Sequence, residues 1–408
     1  MGARTIAGVA AVRLVNAASR LSGRGSGTVA GGRAGLAVAP ELLAELARGR
    51  RVAVVSGTNG KTTTTALLRA ALASMGERVA TNATGSNMPA GHVAALVGEP
   101  TAHLACLEVD EAYLGRLVDE AQPEVVVLLN LSRDQLDRMS EVRMLAERWR
   151  TALEGVATTV VANADDPLVV HAASAADRVV WVAGGLEWRD DAGACPACLG
   201  PIHFAGEGPG WSCQSCAMAR PDAGWVLEGA IASSPRGSTR LALAIPGDFN
   251  LRNALLALAA ADAMGVPIDL AGASMGEVVD VAGRFVERSL GTTTVRLMLA
   301  KNPAGWSALL DTVAHDDGAV VVSINARTAD GADPSWLFDV DFSMLAGRTV
   351  VVTGDRWRDL SVRLRYAGVP HQTEGVPTAA VALAGAQADG RVDVIGNYTA
   401  FRDLLEAR

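Results

Sequence analysis

A chain of 408 residues is long enough for two or three domains, each with its own core. Half of its residues are apolar, a fifth are charged and the net charge is −8 with no basic block, which marks a globular protein and argues against a nucleic-acid footprint. No apolar run reaches the about 20 residues that a membrane-crossing helix requires.

The N-terminal stretch Thr5–Leu21 is alanine-rich and carries Arg13 and Arg20, with Arg4 just before it. Arg13 and Asn16 interrupt it too early for the apolar core of a signal peptide. An amphipathic helix is therefore expected, with a membrane-surface role as the lesser option. Residues 22–35, running from Ser22-Gly-Arg-Gly-Ser-Gly to Gly31-Gly-Arg-Ala-Gly, read as a flexible or turn-rich connector. Pro40–Arg48 reads as a short helix entering the first strand.

The stretch that organises the chain follows. Val52–Val55 reads as a buried parallel strand, Gly57-Thr58-Asn59-Gly60-Lys61-Thr62-Thr63 as a tight glycine loop, and Thr65–Ser74 as a helix. Strand, glycine loop, lysine and hydroxyl at a helix N-terminus make a phosphate cradle. Loop N–H groups and the helix dipole favour the anion, Lys61 reaches the outer phosphates, and the Thr62 hydroxyl can ligate Mg²⁺. Composition singles out the same lysine: among 36 basic residues only Lys61 and Lys301 are lysines. A planar guanidinium cannot replace a compact ammonium wrapped by a phosphate loop. The same argument marks Lys301, in Leu299-Ala-Lys-Asn302-Pro-Ala-Gly-Trp306, against its being an ordinary surface lysine.

Arg78–Pro89 then reads as a strand running into a glycine-rich loop, and Leu104–Ala112 as a buried strand ending in Glu108, Asp110 and Glu111. Carboxylates at the C-terminal end of a parallel strand border the ligand crevice of a doubly wound sheet. Glu108 is the candidate Mg²⁺ ligand, the alternative being a strand-end charge facing solvent. Glu124–Asn130 is the plainest strand, followed by Leu131–Arg138. Thr158–Pro167 is another strand and turn, with Asp165 and Asp166 expected near the nucleotide. Repeated strand–helix units predict a parallel sheet covered on both faces.

Cys195-Pro-Ala-Cys198 and Cys213-Gln-Ser-Cys216 are separated by fourteen residues. Two such knuckles place four thiolates around one structural Zn²⁺ in a ribbon spanning roughly residues 190–222. That usage suits a reducing cytoplasm better than disulfides. Cys106, on a buried strand, reads as a small apolar residue. The sheet is expected to resume after the ribbon, where Leu241-Ala-Leu-Ala-Ile leads into a long helix ending at Ala263. Asn250 and Asn253 lie one turn apart at its start, presenting amides in one direction or, for Asn250, capping the helix. Gly283-Arg284-Phe285 closes the domain. From Thr292 onward, strands over 294–300, 318–324, 348–353 and 391–396 alternate with helical stretches, which predicts a second, smaller α/β domain. Between them Asp330, Asp333, Asp339 and Asp341 surround Trp336 within twelve residues, too specific a pattern for a generic loop, against the alternative of a solvated acidic turn.

The phosphate loop has Val55 where the general pattern has glycine, and resembles the shorter loop of the Mur ligase family. Only about fifty residues precede it, where ligases of UDP-linked precursors carry a whole nucleotide-binding domain. With the four-cysteine insert, Ala300-Lys301-Asn302-Pro-Ala-Gly and Asp333-x-Ser-Trp-x-x-Asp339-x-Asp341, the chain from Arg50 to its end resembles the MurT branch. That resemblance implies an α/β fold: an N-terminal helix and connector over 1–45, a Mur-ligase-type ATP-binding domain over 46–285, and a Rossmann-like domain over 286–408. It places Asn250 and Asn253 against adenine, sends Arg284 toward phosphate, gives Glu108 a metal, and makes Lys301, Asn302, Asp333 and Asp341 substrate candidates. Gln135 stands where many of these ligases have a metal-binding histidine. No lysine lies between Thr62 and Ala300, so their carbamylated lysine has no counterpart.

The implied reaction is amidation. ATP activates the α-carboxylate of D-glutamate in the lipid II stem peptide as an acyl phosphate, and ammonia converts it to D-isoglutamine. The implied partner is a glutamine amidotransferase subunit, GatD, in a heterodimer. Asp339, with Asp341 and Asp333 as less favoured substitutes, would complete the partner's Cys–His pair. The protein would act in the cytoplasm at the inner membrane face, touching the membrane only through lipid II. Two other readings compete: a stand-alone Mur or folylpolyglutamate-type ligase, and a non-catalytic ATP-binding scaffold.

Overall fold

The structure, a computed structural model, describes all residues except 1, 22–27, 83–85, 134–141, 187, 207–209, 280, 282–283, 291–292, 315–317, 389–390 and 408. It divides into two units. The first takes in most of the chain up to Val279; the second takes in the chain beyond it, together with Ser132, Arg133 and Ile245–Asp248.

In the first unit, strands β1 (Arg51–Ser56), β2 (Val79–Thr81), β3 (Leu104–Glu108), β4 (Val125–Leu128), β5 (Thr159–Asn163) and β6 (Arg178–Ala183) are parallel. Valine-rich runs such as Val52–Val55 and Val125–Val127 are buried on both faces, which is what a helix-covered parallel sheet demands. After the hairpin of β7 (Ile202–Phe204) and β8 (Trp211–Cys213), an antiparallel meander of β9 (Trp225–Glu228), β10 (Ile231–Ser234) and β11 (Gly237–Arg240) extends the sheet. The order is β11-β10-β9-β6-β5-β4-β1-β3-β2. The sheet thus resumes in this meander, and no strand forms over Leu241–Ile245. Because β1 lies between β3 and β4, the strand order reverses there. Their C-terminal loops diverge, opening the crevice typical of such switch points.

The helix after the glycine loop spans Lys61–Ala73, beginning before the expected Thr65. Thr63, Thr64 and Thr65 are buried, so tertiary packing overrides the reluctance of β-branched residues to enter a helix. A larger correction concerns the expected connector. From Thr28 it gives way to a helix, Thr28–Val38, which with Ala3–Leu21 belongs to the first unit. Its glycines serve close packing: a Cβ on Gly32 would lie 1.9 Å from the Ala90 carbonyl oxygen, and one on Gly35 2.4 Å from Val12 Cγ2. Glycine costs a helix about 1 kcal/mol relative to alanine, a loss offset here by backbone approach that no other residue permits.

The second unit is a six-stranded sheet of β12 (Phe285–Leu290), β13 (Thr293–Leu299), β14 (Ala319–Ser323), β15 (Val350–Thr353), β16 (Gln372–Thr373) and β17 (Arg391–Gly396). Its order is β12-β13-β17-β14-β15-β16, all parallel except the edge strand β12. Arg296 and Asp393 face each other across β13 and β17 in a two-pronged ion pair, with Asp393 fully buried. Trp306 packs between Trp336 and Phe342 at centroid distances of 5.9 and 6.0 Å, joining the helix after β13 to the acidic segment.

Candidate active site

Gly57 and Gly60 take backbone angles of φ 151° and 86°, which glycine alone adopts without strain, and so turn the chain from β1 into its helix. Lys61 folds back over this loop. Its buried ammonium donates to the Gly57 carbonyl, to the Thr58 carbonyl at 3.1 Å and to Glu111 Oε2 at 3.1 Å. The loop is also tied to the end of β4. Thr58 N–H donates to the Asn130 carbonyl at 2.9 Å, and the Asn130 side chain exchanges two bonds with the Asn59 backbone.

Glu108 ends β3 with its carboxylate buried. Its backbone is held on three sides: Asn82 accepts from its N–H at 2.9 Å and donates to its carbonyl at 2.8 Å, and His92 Nε2 donates to the same carbonyl at 2.8 Å. The carboxylate itself receives a long 3.4 Å bond from Asn87, which leaves its lone pairs with capacity for a cation. The alternative of a charge facing solvent is thereby set aside. His92 is neutral, its pKa lowered to about 4 by burial.

Asn250 and Asn253 lie inside the helix Asp248–Ala263, so Asn250 is not its cap. Both are buried, Asn253 donates to Asn250 at 3.4 Å, and a Cβ on Gly60 would lie 2.4 Å from Asn253 Oδ1. The first unit therefore brings Gly57, Thr58, Asn59, Gly60, Lys61, Thr62, Thr63 and Asn253 together. A buried ammonium on loop carbonyls, with a buried carboxylate at the end of the neighbouring β3, offers groups that could hold a nucleotide phosphate and a divalent cation.

Asp165 and Asp166 depart from expectation. Asp165 accepts from Arg220 Nε at 2.6 Å and from Gly185 N–H at 2.6 Å, so it anchors the cysteine insert to the sheet. Trp211 adds a bond from its indole to the Ala164 carbonyl at 3.0 Å. Asp166 caps the helix Pro167–Ala173 and accepts from Leu131 N–H at 2.9 Å; complete burial raises its pKa to about 6.

The four sulfurs of Cys195, Cys198, Cys213 and Cys216 all lie within 4.8 Å of one another. The pairs Cys195–Cys216 and Cys198–Cys213 are 3.7 and 3.5 Å apart. Four sulfurs at the usual bond length around a tetrahedral zinc would be separated by about 3.8 Å, so the cluster fits one such ion. The Ser215 amide, 3.3 Å from Cys213 Sγ, is the main reason that thiol is lowered to about 7.

In the second unit, Lys301 Nζ sits 5.8 Å above the Tyr398 ring, and Asn302 caps the following helix by accepting from Gly305 N–H at 2.9 Å. Asp333 and Asp341 each accept from the backbone two residues on. Asp339 ends the short helical turn Ser335–Asp339, exposed, with Oδ2 3.7 Å from Arg133. Arg363 secures that turn by donating to the Leu337 and Val340 carbonyls at 3.0 and 2.6 Å. Arg284 precedes β12 in this unit. Gln135 and Gly283 fall outside the described residues. Sequence reasoning missed Asn130 and Asn82, whose roles depend on the loop and strand that the sheet register places beside them.

Residues 55–187 match the Mur ligase middle domain, and residues 299–401 match the MurT ligase C-terminal family. Over 423 residues the chain is 30% identical to the lipid II isoglutaminyl synthase (glutamine-hydrolyzing) subunit MurT of Streptococcus pneumoniae, spanning 95% of this chain and 94% of that one. The subunit of the same name from Staphylococcus aureus is 30% identical over 382 residues, spanning 88% and 86%. Among solved structures, a pseudomurein peptide ligase type C from Methanothermus fervidus matches with a TM-score of 0.67 at 20% identity, over 90% of this chain and 81% of that one. Folylpolyglutamate synthase from Mycobacterium tuberculosis matches with a TM-score of 0.59 at 17% identity, over 90% and 93%. These structural likenesses establish the Mur ligase fold, and the identity to the two subunits, carried along nearly the whole chain, decides its branch: the chain belongs to the MurT family.

Proposed function

We propose that the chain is the ATP-dependent synthetase subunit of a lipid II isoglutaminyl synthase, a carbon–nitrogen ligase that amidates the stem-peptide D-glutamate with nitrogen from glutamine. One pairing of observations carries this reading: a complete phosphate loop around Lys61, in a chain whose cysteines offer no glutaminase nucleophile. Four cysteines form the cluster, and burial pushes the Cys106 thiol up to about 12, far from a reactive thiolate. A GatD-type amidotransferase in a heterodimer then supplies the ammonia.

In this reaction an oxygen of the D-glutamate α-carboxylate attacks the γ-phosphorus of ATP, and ADP leaves. Ammonia then attacks the acyl carbon, phosphate departs, and the amide of D-isoglutamine remains. Phosphoryl transfer of this kind depends on positioning and charge. Lys61 and the amides of Gly57–Thr63 bear on the transferring phosphoryl group, and Arg284 adds a second positive charge toward phosphate. Thr62 and Glu108 would hold Mg²⁺, which when bound neutralises charge on the phosphate oxygens. Asn250 and Asn253 would contact the base. Lys301, Asn302, Asp333 and Asp341 belong to the substrate side, Asn302 through its hold on the helix behind Lys301.

Asp339 would orient the partner's histidine, as the third carboxylate of such triads does. Its exposure and the Arg363 brace behind its turn support that role. The four cysteines would hold a structural Zn²⁺, since a closed four-thiolate site has no open position for chemistry. The setting is the cytoplasmic face of the membrane, where the lipid-linked substrate is presented.

The test is amidation of lipid II with ATP and glutamine, with and without the amidotransferase subunit, alongside ammonium chloride alone. Conversion of one carboxylate to amide is read by mass spectrometry of the stem peptide. Ammonium should suffice for this chain by itself, and glutamine only with the partner. Amino-acid addition without amidation would establish a stand-alone ligase instead, and nucleotide binding without turnover a scaffold.

A further inference from the structure

The helix Ala3–Leu21 is fixed by one face and leaves the other bare. Its inner face holds Thr5, Gly8 and Val12, all buried. A Cβ on Gly8 would lie 3.0 Å from Ala39 Cβ and 3.1 Å from Leu42 Cδ2, so the helix lies hard against its neighbours and cannot roll. The outer face exposes Ile6 at 59%, Leu14 at 70% and Leu21 at 90%. With Ala10 these residues fall within an arc of about 80° at 100° per residue, a continuous apolar stripe along the helix. Arg13 and Arg20, both exposed, run along one border of the stripe, and Arg4 lies on its other side.

Charge states what the stripe meets. The first forty residues hold five arginines and no acidic residue, in a chain whose net charge is −8. The acidity is all elsewhere. An apolar stripe bordered by arginines matches an anionic bilayer: the stripe enters the acyl boundary while guanidinium groups pair with lipid phosphates. No helix among the described residues is long and apolar enough to cross a membrane, so this one would lie along the surface.

We propose that Ala3–Leu21 is a membrane-docking helix that seats the protein on an anionic phospholipid surface through Ile6, Leu14 and Leu21, with Arg13 and Arg20 on headgroup phosphates. Contact with the bilayer then does not depend on holding lipid II. The helix sets the chain at the depth where a lipid-linked substrate presents its headgroup. That consequence rests on the proposed activity; the docking does not.

The experiment is flotation of the full-length chain with vesicles of phosphatidylcholine alone, or of phosphatidylcholine and phosphatidylglycerol in equal parts, free of lipid II and nucleotide. The chain should float with the anionic vesicles, and high salt should weaken the binding. The double substitution Leu14→Glu/Leu21→Glu should lower bound protein at least tenfold, and Arg13→Gln/Arg20→Gln should lower it on anionic vesicles alone. These side chains are exposed, so the urea midpoint and ATP binding of each variant should match the parent. Failure of the parent chain to float overturns the proposal, as does flotation undiminished in Leu14→Glu/Leu21→Glu. So would concentration-dependent dimerisation abolished by the same pair without vesicle binding, which would assign the face to a second copy. Because neither lipid II nor turnover is involved, a failed amidation assay leaves this result intact.

Discussion

The Asn130 side chain and the Asn59 backbone exchange two hydrogen bonds: Oδ1 accepts from the Asn59 N–H at 2.9 Å, and Nδ2 donates to the Asn59 carbonyl at 3.0 Å. The amide thereby acts as a short piece of strand, fastening the middle of the phosphate loop to the end of β4. Asn130→Ala leaves both Asn59 groups without that partner, which should cost about 1 kcal/mol of stability. It should also weaken ATP binding at least tenfold, because the loop amides lose their preset arrangement. Asn130→Asp retains the acceptor but not the donor, and should bind more weakly than the parent. Calorimetric titration with ATP checks both; parent-like affinity in the alanine variant would dismiss the fastening role.

Lys61 is the residue that an arginine-rich chain has not exchanged. Its one ammonium nitrogen donates to the Gly57 and Thr58 carbonyls and to Glu111, three directions that a planar guanidinium does not reproduce. Lys61→Arg should therefore lower ATP-dependent amidation by on the order of 10²-fold despite keeping the charge. Full activity in that variant would defeat the argument.

Two buried groups titrate in opposite senses. Asp166 has a folded pKa of about 6 against an ordinary 3.8, so between about pH 4 and 6 the folded state keeps a proton that the unfolded state has released. Stability falls as pH rises through that window. His92 has a folded pKa of about 4 against 6.5, so the unfolded state takes up a proton that the folded state refuses. Stability there falls as pH drops from about 6.5 to 4. Each effect is on the order of 3 kcal/mol at full extent, and they largely offset each other. Asp166→Asn should make stability rise more steeply with pH across this range than in the parent, and His92→Gln should tilt it the other way. Urea midpoints of parent and variants across the range read the difference directly.

The cysteine insert is held to the sheet by Arg220 and Asp165, whose carboxylate is almost wholly buried. Arg220→Ala leaves that charge without its partner and should cost about 3 kcal/mol while one zinc per chain is retained. Cys198→Ser should lose the metal instead. Elemental analysis with urea unfolding separates the two, and a parent-like midpoint in Arg220→Ala would show the anchor to be idle.

Gly32 tests the second helix. Gly32→Ala drives a methyl group into the Ala90 carbonyl and should destabilise by about 3 kcal/mol. Gly98→Ala, where a Cβ meets nothing within 4 Å, should be neutral or slightly stabilising. Equal effects at the two sites would mean that close approach is not what the glycines serve.

Some of this molecule is decided by residues that act locally. A glycine turn closes on its own residues, a lysine that arginine cannot replace declares itself by identity, and four thiols in two knuckles set their own spacing. The phosphate loop, the cysteine cluster and the two α/β sheets were legible for that reason. Asp165 and the helix Thr28–Val38 were misread because their partners lie far along the chain: Arg220 within the cysteine insert, and Ala90 on another helix. Asn130 stood in plain view at a strand's end. Only the register that sets β4 beside β1 brings its amide to Asn59, and no local pattern records a parallel pairing between strands so distant. What the sequence by itself determined is the chemistry each segment can offer. Which residues hold those segments in place was decided by tertiary structure, because buried polar groups and closely approaching backbones take their roles from whatever the fold packs against them.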